Sequence, residues 1–370
     1  MSPQDSAQTR LCEACGAVVG RTQLFCHRCT FPVSVPALAE LDSADLDLCL
    51  SSLSELLREV GAERAEPTEP FLAYLSAFWL RPETALILAA EAQAIASLPP
   101  HAGPWLDLGC GDGVHAALYR GWRFESQFDV FQCVDPSARD IFHHWDRSRF
   151  RAEVVRRGEP IDLGIDIKST AVERASALGA FHRVQRADAT SLPIEAQSVG
   201  TIYSNMLRDL GDPLPAALAE CRRVLRPGGR LILSAMTPDY PHSLHFVARA
   251  RATSDPALAE RLLRLDRGRS VFCRRQLTPQ QWSAVLASAG LTLERAVPIV
   301  GPRIIRFWDV GLRPFSPALL AWRDRLGAAG LLNRLKPALV AAAGELLAPL
   351  ARDPLAGGSP CMQLLVAVRP

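Results

Sequence analysis

Trp105-Leu106-Asp107-Leu108-Gly109-Cys110-Gly111-Asp112-Gly113-Val114-His115 holds the strongest local signal in the chain. An apolar run of strand type meets an acidic residue and then three glycines at every second position, and a helical pattern follows. Glycine lets a backbone turn sharply and approach a ligand closely, while the start of the next helix presents unpaired N–H groups. This is the layout of a nucleotide-type cofactor loop, although a plain structural turn remains open for so short a motif. The Asp-x-Gly-x-Gly-x-Gly spacing is shorter than the Gly-x-Gly-x-x-Gly of dinucleotide folds, and it lacks the Lys-Ser/Thr of a P-loop.

Downstream of the loop, strand and helix patterns alternate. About 40 residues rich in aromatics and charges (121–160) intervene before the next convincing strand, Ile161-Asp162-Leu163-Gly164-Ile165-Asp166. Val130 to Asp135 within that stretch competes for the same place, and Asp166 is preferred because the later elements then fall into order. A helix at 169–178, a strand at 182–186, a strand at 199–205, a helix at 215–225 and a strand at 230–235 follow. Such alternation implies a doubly wound, mostly parallel sheet whose ligand crevice lies at the carboxyl ends of the strands.

Upstream, Cys12-Glu13-Ala14-Cys15 and Cys26-His27-Arg28-Cys29 form two CxxC units separated by ten residues. Zinc takes four tetrahedral ligands, and paired CxxC turns on a hairpin supply them, so Cys12, Cys15, Cys26 and Cys29 are the expected structural Zn²⁺ ligands. A redox pair would not need a duplicate, and His27 is a bystander because four sulfurs close the site. Arg10, Arg21 and Arg28 against Glu13, with Phe25 and Phe31 as stacking groups, leave open an RNA contact, a protein partner or a purely structural ribbon. A helix at 38–60, a charged linker at 61–70 and helices at 71–80 and 83–97 then lead to the glycine loop. Helices in that position often contribute to a lid. The expected organisation is a zinc ribbon at 1–36, helical linker and lid helices at 37–100, and the α/β domain at 101–370 with insertions near 121–160 and 300–360.

Composition bounds the function. A hydrophobic content of 48% with 22% charged residues is ordinary for a globular chain, and a net charge of +2 argues against a continuous polyanion-binding face. Only Lys168 and Lys336 among 41 basic residues are lysines. The N-terminus opens with polar residues, and Glu91 and Glu345 interrupt the longest apolar runs, so no transmembrane segment is expected and the chain reads as cytoplasmic. Eight arginines between Arg249 and Arg275 face three acidic residues, a local excess suited to an anion or to a solvated surface.

Taken together, Leu106-Asp107-Leu108-Gly109-Cys110-Gly111-Asp112-Gly113, Gly164-Ile165-Asp166, Ala187-Asp188-Ala189 with Leu192-Pro193, Tyr203-Ser204-Asn205 and Val224-Leu225-Arg226-Pro227-Gly228-Gly229 resemble the class I S-adenosylmethionine (SAM)-dependent methyltransferases. The likeness is to the broad group that includes the ubiquinone and menaquinone C-methyltransferases. It implies a seven-stranded Rossmann-like α/β sheet whose last strand is antiparallel, with 277–290, 291–299 and 361–368 as its closing elements. It further implies that Asp107, Gly109, Cys110 and Gly111 shape the loop around the methionine part of SAM. Asp166, followed by Ile167, binds the ribose hydroxyls; Asp188 and Ala189 hold the adenine; Asn205 faces the transferring methyl. Ser204-Asn205-Met206-Leu207 departs from the Asn/Asp-Pro-Pro-Tyr/Phe pattern of enzymes that methylate exocyclic amines.

Tyr240, His242 and His245, which follow the fifth strand, are the base candidates, to be used only if the acceptor must lose a proton. The apolar insertion at 300–360 is a candidate lid or substrate wall. Three functions fit: a methyltransferase acting on a small-molecule or lipid-like acceptor, an RNA methyltransferase whose ribbon grips the nucleic acid, or a SAM-binding protein without catalysis.

Overall fold

The computed structural model describes residues 9–370 except 21, 36, 62, 101, 136, 139, 141, 144 and 274; Arg21 and Arg274, counted above, lie outside the described residues. A hairpin of β1 (Thr9–Leu11) and β2 (Val18–Gly20) is followed by three helices, α1 (Ser43–Gly61), α2 (Glu69–Ala77) and α3 (Pro82–Ala96). The Thr68 hydroxyl accepts from the Phe71 amide at 3.4 Å and starts α2, in which Pro70 is tolerated because the first-turn amides have no helical partner. Then come β3 (Trp105–Leu108), α4 (Val114–Tyr119), the short β4 (Arg123–Phe124) and β5 (Val154–Arg156), β6 (Ile161–Asp166), α5 (Ser169–Leu178), β7 (Phe181–Arg186) and β8 (Val199–Ser204). The chain closes with α6 (Leu214–Val224), β9 (Leu225–Met236), α7 (His245–Ala252), α8 (Pro256–Asp266), α9 (Arg269–Phe272), α10 (Pro279–Ser288), β10 (Thr292–Val300), α11 (Pro302–Val310), α12 (Ser316–Ala328), α13 (Leu332–Arg352) and β11 (Met362–Val368).

Seven strands form one sheet in the order β10-β11-β9-β8-β3-β6-β7. β3 pairs in parallel with both β6 and β8, β6 with β7 and β8 with β9, whereas β11 runs antiparallel to β9 and β10. The chain therefore moves outward from β3 to β7, returns to the other side of β3 at β8, and leaves a crevice where the direction of winding reverses. The strand that ends at Asp166 lies in the sheet beside β3, as expected, while Val134 makes only an isolated bridge to Trp145. One boundary moves, since β9 starts at Leu225 and takes in the Arg226-Pro227-Gly228-Gly229 turn that was expected to precede it.

Alternation of side chains builds a core on each face of the sheet. Leu231, Leu233, Leu365 and Ala367 point to one face with Leu106 and Ile202, and there Trp282 and Leu286 of α10 and Leu218 of α6 cover them. Ile232, Leu364 and Val366 point to the other with Trp105 and Ile161, under α1, α2 and α3. Each such Leu or Ile stabilises the fold by about 1.5–3 kcal/mol through burial. Two expectations fail at this second face. The helices of 37–100 are buried beneath the sheet instead of forming a lid, because Phe71, Tyr74 and Leu75 all face that core. The 300–360 insertion packs on the same helices through Ile304, Phe307, Leu347 and Leu350 and leaves Trp322, Leu331, Leu335 and Leu339 exposed, away from the cavity lining.

Candidate active site

The glycine loop is held by the strand beside it. The Gly109 and Cys110 amides both donate to the Ile165 carbonyl, at 2.7 and 3.0 Å, and Gly109, Gly111 and Gly113 all adopt positive φ. A Cβ at Gly109 would meet Met206 at 2.8 Å and one at Gly113 would meet Phe181 at 2.5 Å, whereas one at Gly111 would enter open space. Asp166, at the carboxyl end of β6, locks the arrangement: its Oδ2 accepts from the Gly111 amide at 3.0 Å and its Oδ1 from the Lys168 amide at 2.8 Å. A carboxylate fixed by two backbone donors still has lone pairs to offer a diol.

A cavity of about 660 Å³ opens at these strand ends. Of the residues expected there, Gly109, Gly111, Asp166, Ile167, Asp188, Ala189 and Asn205 line it. Asp107 and Cys110 lie behind the wall and are buried; burial, with Asp166 and Glu91 nearby, holds the Asp107 carboxyl well above the usual carboxylate range. Asp107 thus supports the loop from below. The three base candidates are not brought to the cavity. Tyr240 is fully buried and its hydroxyl donates to the Arg269 carbonyl at 3.2 Å, beside the Arg269–Asp309 ion pair; burial raises its phenol well above 10. His242 is exposed outside the cavity, and His245 is packed against Phe246 and pulled down to about 4, first by burial and then by Arg249.

Other residues that reach the cavity carried no sequence signal. Arg208 and Asp209 follow β8, side by side at 3.7 Å, and the Arg208 Nη1 donates to the Ser234 hydroxyl at 2.8 Å. The Arg208 Nε and the Asp209 Oδ1 have no hydrogen-bond partner among the described residues. Burial pushes the Asp209 carboxyl up to about 6 despite Arg208 beside it. From α5 comes Arg174, nearly fully buried, which gives Nη2 to the Val130 carbonyl at 2.7 Å and leaves its Nε and Nη1 unpartnered. Asp140 and Phe142 of the first insertion complete that side. The arginine-rich stretch turns inward: Arg249 donates to Ser52, Arg261 and Arg264 pair with Asp42 and Asp45, Arg269 with Asp309, and Arg275 donates to the Gly211 carbonyl. No anion-binding face is left there among the described residues, apart from exposed Arg251.

Cys12, Cys15, Cys26 and Cys29 come together with all four sulfurs within 4.8 Å of one another. Cys12 and Cys29 are 3.5 Å apart and Cys15 and Cys26 are 3.7 Å apart. A tetrahedral zinc with bonds of about 2.3 Å sets sulfurs about 3.8 Å apart, close to these two spacings, so the donor set suits the ion. Each CxxC turn closes with a residue of positive φ, Gly16 in the first and Thr30 in the second. Phe25 and Phe31, expected as stacking groups for a nucleic acid, instead pack inward on Phe272 and His143, with ring centroids 4.9 and 5.0 Å apart.

A methyltransferase-domain family matches residues 156–233. Malonyl-[acyl-carrier protein] O-methyltransferase 1 of Coxiella burnetii is 34% identical over 90 residues, which is 24% of this chain and 30% of that protein. The malonyl-[acyl-carrier protein] O-methyltransferase of Methylococcus capsulatus is 51% identical over 47 residues, 13% of this chain and 17% of that protein. The chain thus spans less than a third of the length of these curated relatives. A solved SAM-dependent methyltransferase of Thermotoga maritima, described as a possible histamine N-methyltransferase, is 13% identical and covers 78% of this chain and 92% of its own, with a TM-score of 0.41. The family match begins at residue 156, in the last part of the first insertion, so the glycine loop lies outside it. Together with that partial match, the strand order β10-β11-β9-β8-β3-β6-β7 with an antiparallel β11 is that of the class I methyltransferase fold.

Proposed function

We propose that the protein is a SAM-dependent methyltransferase acting on a small-molecule or lipid-like acceptor that presents a carboxylate. One observation carries the reading: the glycine loop, Asp166, Asp188 and Asn205 share a single cavity with Arg208. Its volume suits a ligand of SAM size plus part of an acceptor. The cavity also offers what SAM's groups need: a fixed carboxylate in Asp166 for the ribose, a second in Asp188 for the adenine amine, and unpartnered Arg174 N–H groups. Bound SAM supplies an electrophilic methyl on a sulfonium. The chain's part is to hold the acceptor in line with that methyl and to keep water out. Arg208, buried at the cavity wall with an Nε that makes no hydrogen bond and lies 3.7 Å from Asp209, is oriented to hold an acceptor carboxylate. Such an acceptor is already ionised at neutral pH and needs no base, in keeping with a cavity lining that does not include Tyr240, His242 or His245. The names of the two relatives point to the same acceptor class.

A second reading rests on Asp209. A buried carboxyl raised to about 6 with an unpartnered oxygen in the cavity is poised to take a proton from a hydroxyl acceptor. Transfer of labelled methyl from SAM to paired acid and alcohol acceptors separates the two. Arg208→Ala is expected to cut transfer to the acid about 100-fold, the equivalent of one lost charge-assisted contact of ~3 kcal/mol, with SAM affinity unchanged. Asp209→Asn is expected to leave transfer to the acid intact. The opposite pattern, with alcohols methylated and Asp209→Asn inactive, would install Asp209 as the base. Asp166→Ala is expected to weaken SAM binding by a similar ~100-fold, measured by calorimetry; unchanged binding would defeat the assignment of the cavity.

A further inference from the structure

The four-cysteine ribbon is joined to the cavity wall. His27, Arg28, Cys29 and Thr30, the whole of the second CxxC turn after Cys26, line the same cavity as Asp166 and Asp188. Arg28 donates through Nε at 2.8 Å and Nη2 at 2.5 Å to Asp188 Oδ2, while Asp188 Oδ1 accepts from the Thr190 amide at 3.0 Å. Three further contacts fasten the ribbon to different elements of the cavity rim. Phe25 meets Phe272 of α9, Phe31 meets His143 of the first insertion, and Ile167 packs on the ribbon's core of Cys12, Val19, Cys26, Cys29, Phe31 and Val33. A module this small has too little apolar surface to hold its shape alone, so its turn geometry depends on what the four sulfurs bind.

We propose that the metal-loaded ribbon is the outer wall of the cofactor site, with Arg28 positioning Asp188, so that metal binding to the four cysteines and cofactor binding to the cavity strengthen each other. The proposal rests on the reading of the cavity as a SAM site. Loss of the metal frees the second CxxC turn, and with it Arg28 and the roof over the adenine end. Bound cofactor in turn holds Asp188 and Ile167 against the ribbon. Linkage requires that the two effects be equal in size. The wall role also turns the ribbon's Arg28 inward, onto Asp188, instead of toward an outside partner.

The test uses the full chain and S-adenosylhomocysteine as the probe. Its dissociation constant is measured by calorimetry for zinc-loaded protein and for protein stripped with a chelator. Zinc release to a colorimetric chelator is then followed with and without the probe. The expected result is binding at least tenfold weaker in the stripped protein and a matching protection of zinc by the probe. Arg28→Ala, with zinc content verified as unchanged, is expected to bind the probe about fivefold more weakly, and Arg28→Lys to recover part of the loss. Asp166→Ala should abolish the zinc protection, which a purely structural ribbon would not do. Equal affinity in both metal states, or tighter binding by Arg28→Ala because Arg28 had been competing for Asp188, would overturn the proposal. Absence of zinc from protein purified without chelator would overturn its metal half. Failure of the probe to bind either form would instead overturn the SAM reading itself, a result distinguishable from loss of linkage.

Discussion

Two regions are appended to the methyltransferase sheet, and they behave oppositely to what their compositions promise. The ribbon is short, cysteine-rich and weakly charged, the profile of a docking module, yet it forms part of the cavity wall. The 300–360 insertion is long and apolar, the profile of a substrate wall, yet none of its residues lines the cavity. Position on the sheet explains the reversal. The insertion leaves β10 and returns through β11, at the sheet edge away from β3 and β6, and meets α1, α2 and α3, whose apolar faces it can cover. The ribbon reaches the other side, over the ends of β6 and β7, where Ile167 and Asp188 offer one apolar and one charged contact. Composition says how much surface a segment must bury, and topology says against what.

The contrast can be broken experimentally. The largest effect expected is on stability, in the insertion: Leu350→Ala, at a fully buried position of α13, should lower unfolding free energy by about 2–5 kcal/mol in urea melts while leaving the probe affinity of the folded protein within twofold. A loss of affinity beyond fivefold would show that the insertion does govern the cavity. In the ribbon the effects should reverse. Phe25→Ala removes the edge-to-face contact with Phe272, about 1 kcal/mol, and should weaken probe binding about fivefold while barely moving the urea midpoint.

A pH effect sharpens the same contrast. His245, in α7 beside the insertion's α11, is held down to about 4 by burial, against about 6.5 when unfolded. The unfolded chain therefore takes up the proton first. The associated stability is present above pH 6.5 and is lost as pH falls from there through 4. His245→Leu should flatten that limb of the thermal midpoint against pH, without altering cofactor affinity. The smallest effect lies at Thr30, a β-branched residue at φ 60. Thr30→Gly should relieve strain worth up to about 1 kcal/mol, partly offset by greater unfolded-state freedom, and should slow zinc release slightly.

Much of the fold was legible because it is written in local patterns. The glycine spacing, the acidic residue ending β6 and the strand at 199–204 each depend on neighbouring residues, and the sheet placed them as expected. The base candidates were misplaced for the opposite reason. Tyr240 follows β9 at the end of the sheet that carries the site, but one buried contact, its hydrogen bond to the Arg269 carbonyl, turns it into the helical body. Arg208 and Asp209 were overlooked because nothing in Met206-Leu207-Arg208-Asp209 distinguishes a cavity wall from a surface turn.

The sequence by itself determined the parts: a glycine loop after a strand, a carboxylate at the end of the neighbouring strand and four cysteines in two CxxC units. Those features rest on backbone conformation and ligand geometry, which a few adjacent residues control. Only the tertiary structure decided their relations, above all that Arg28 of the ribbon meets Asp188, 160 positions away, at the rim of the cavity. Contacts between residues so far apart follow from how the sheet winds and which faces remain to be covered, and no local pattern records either.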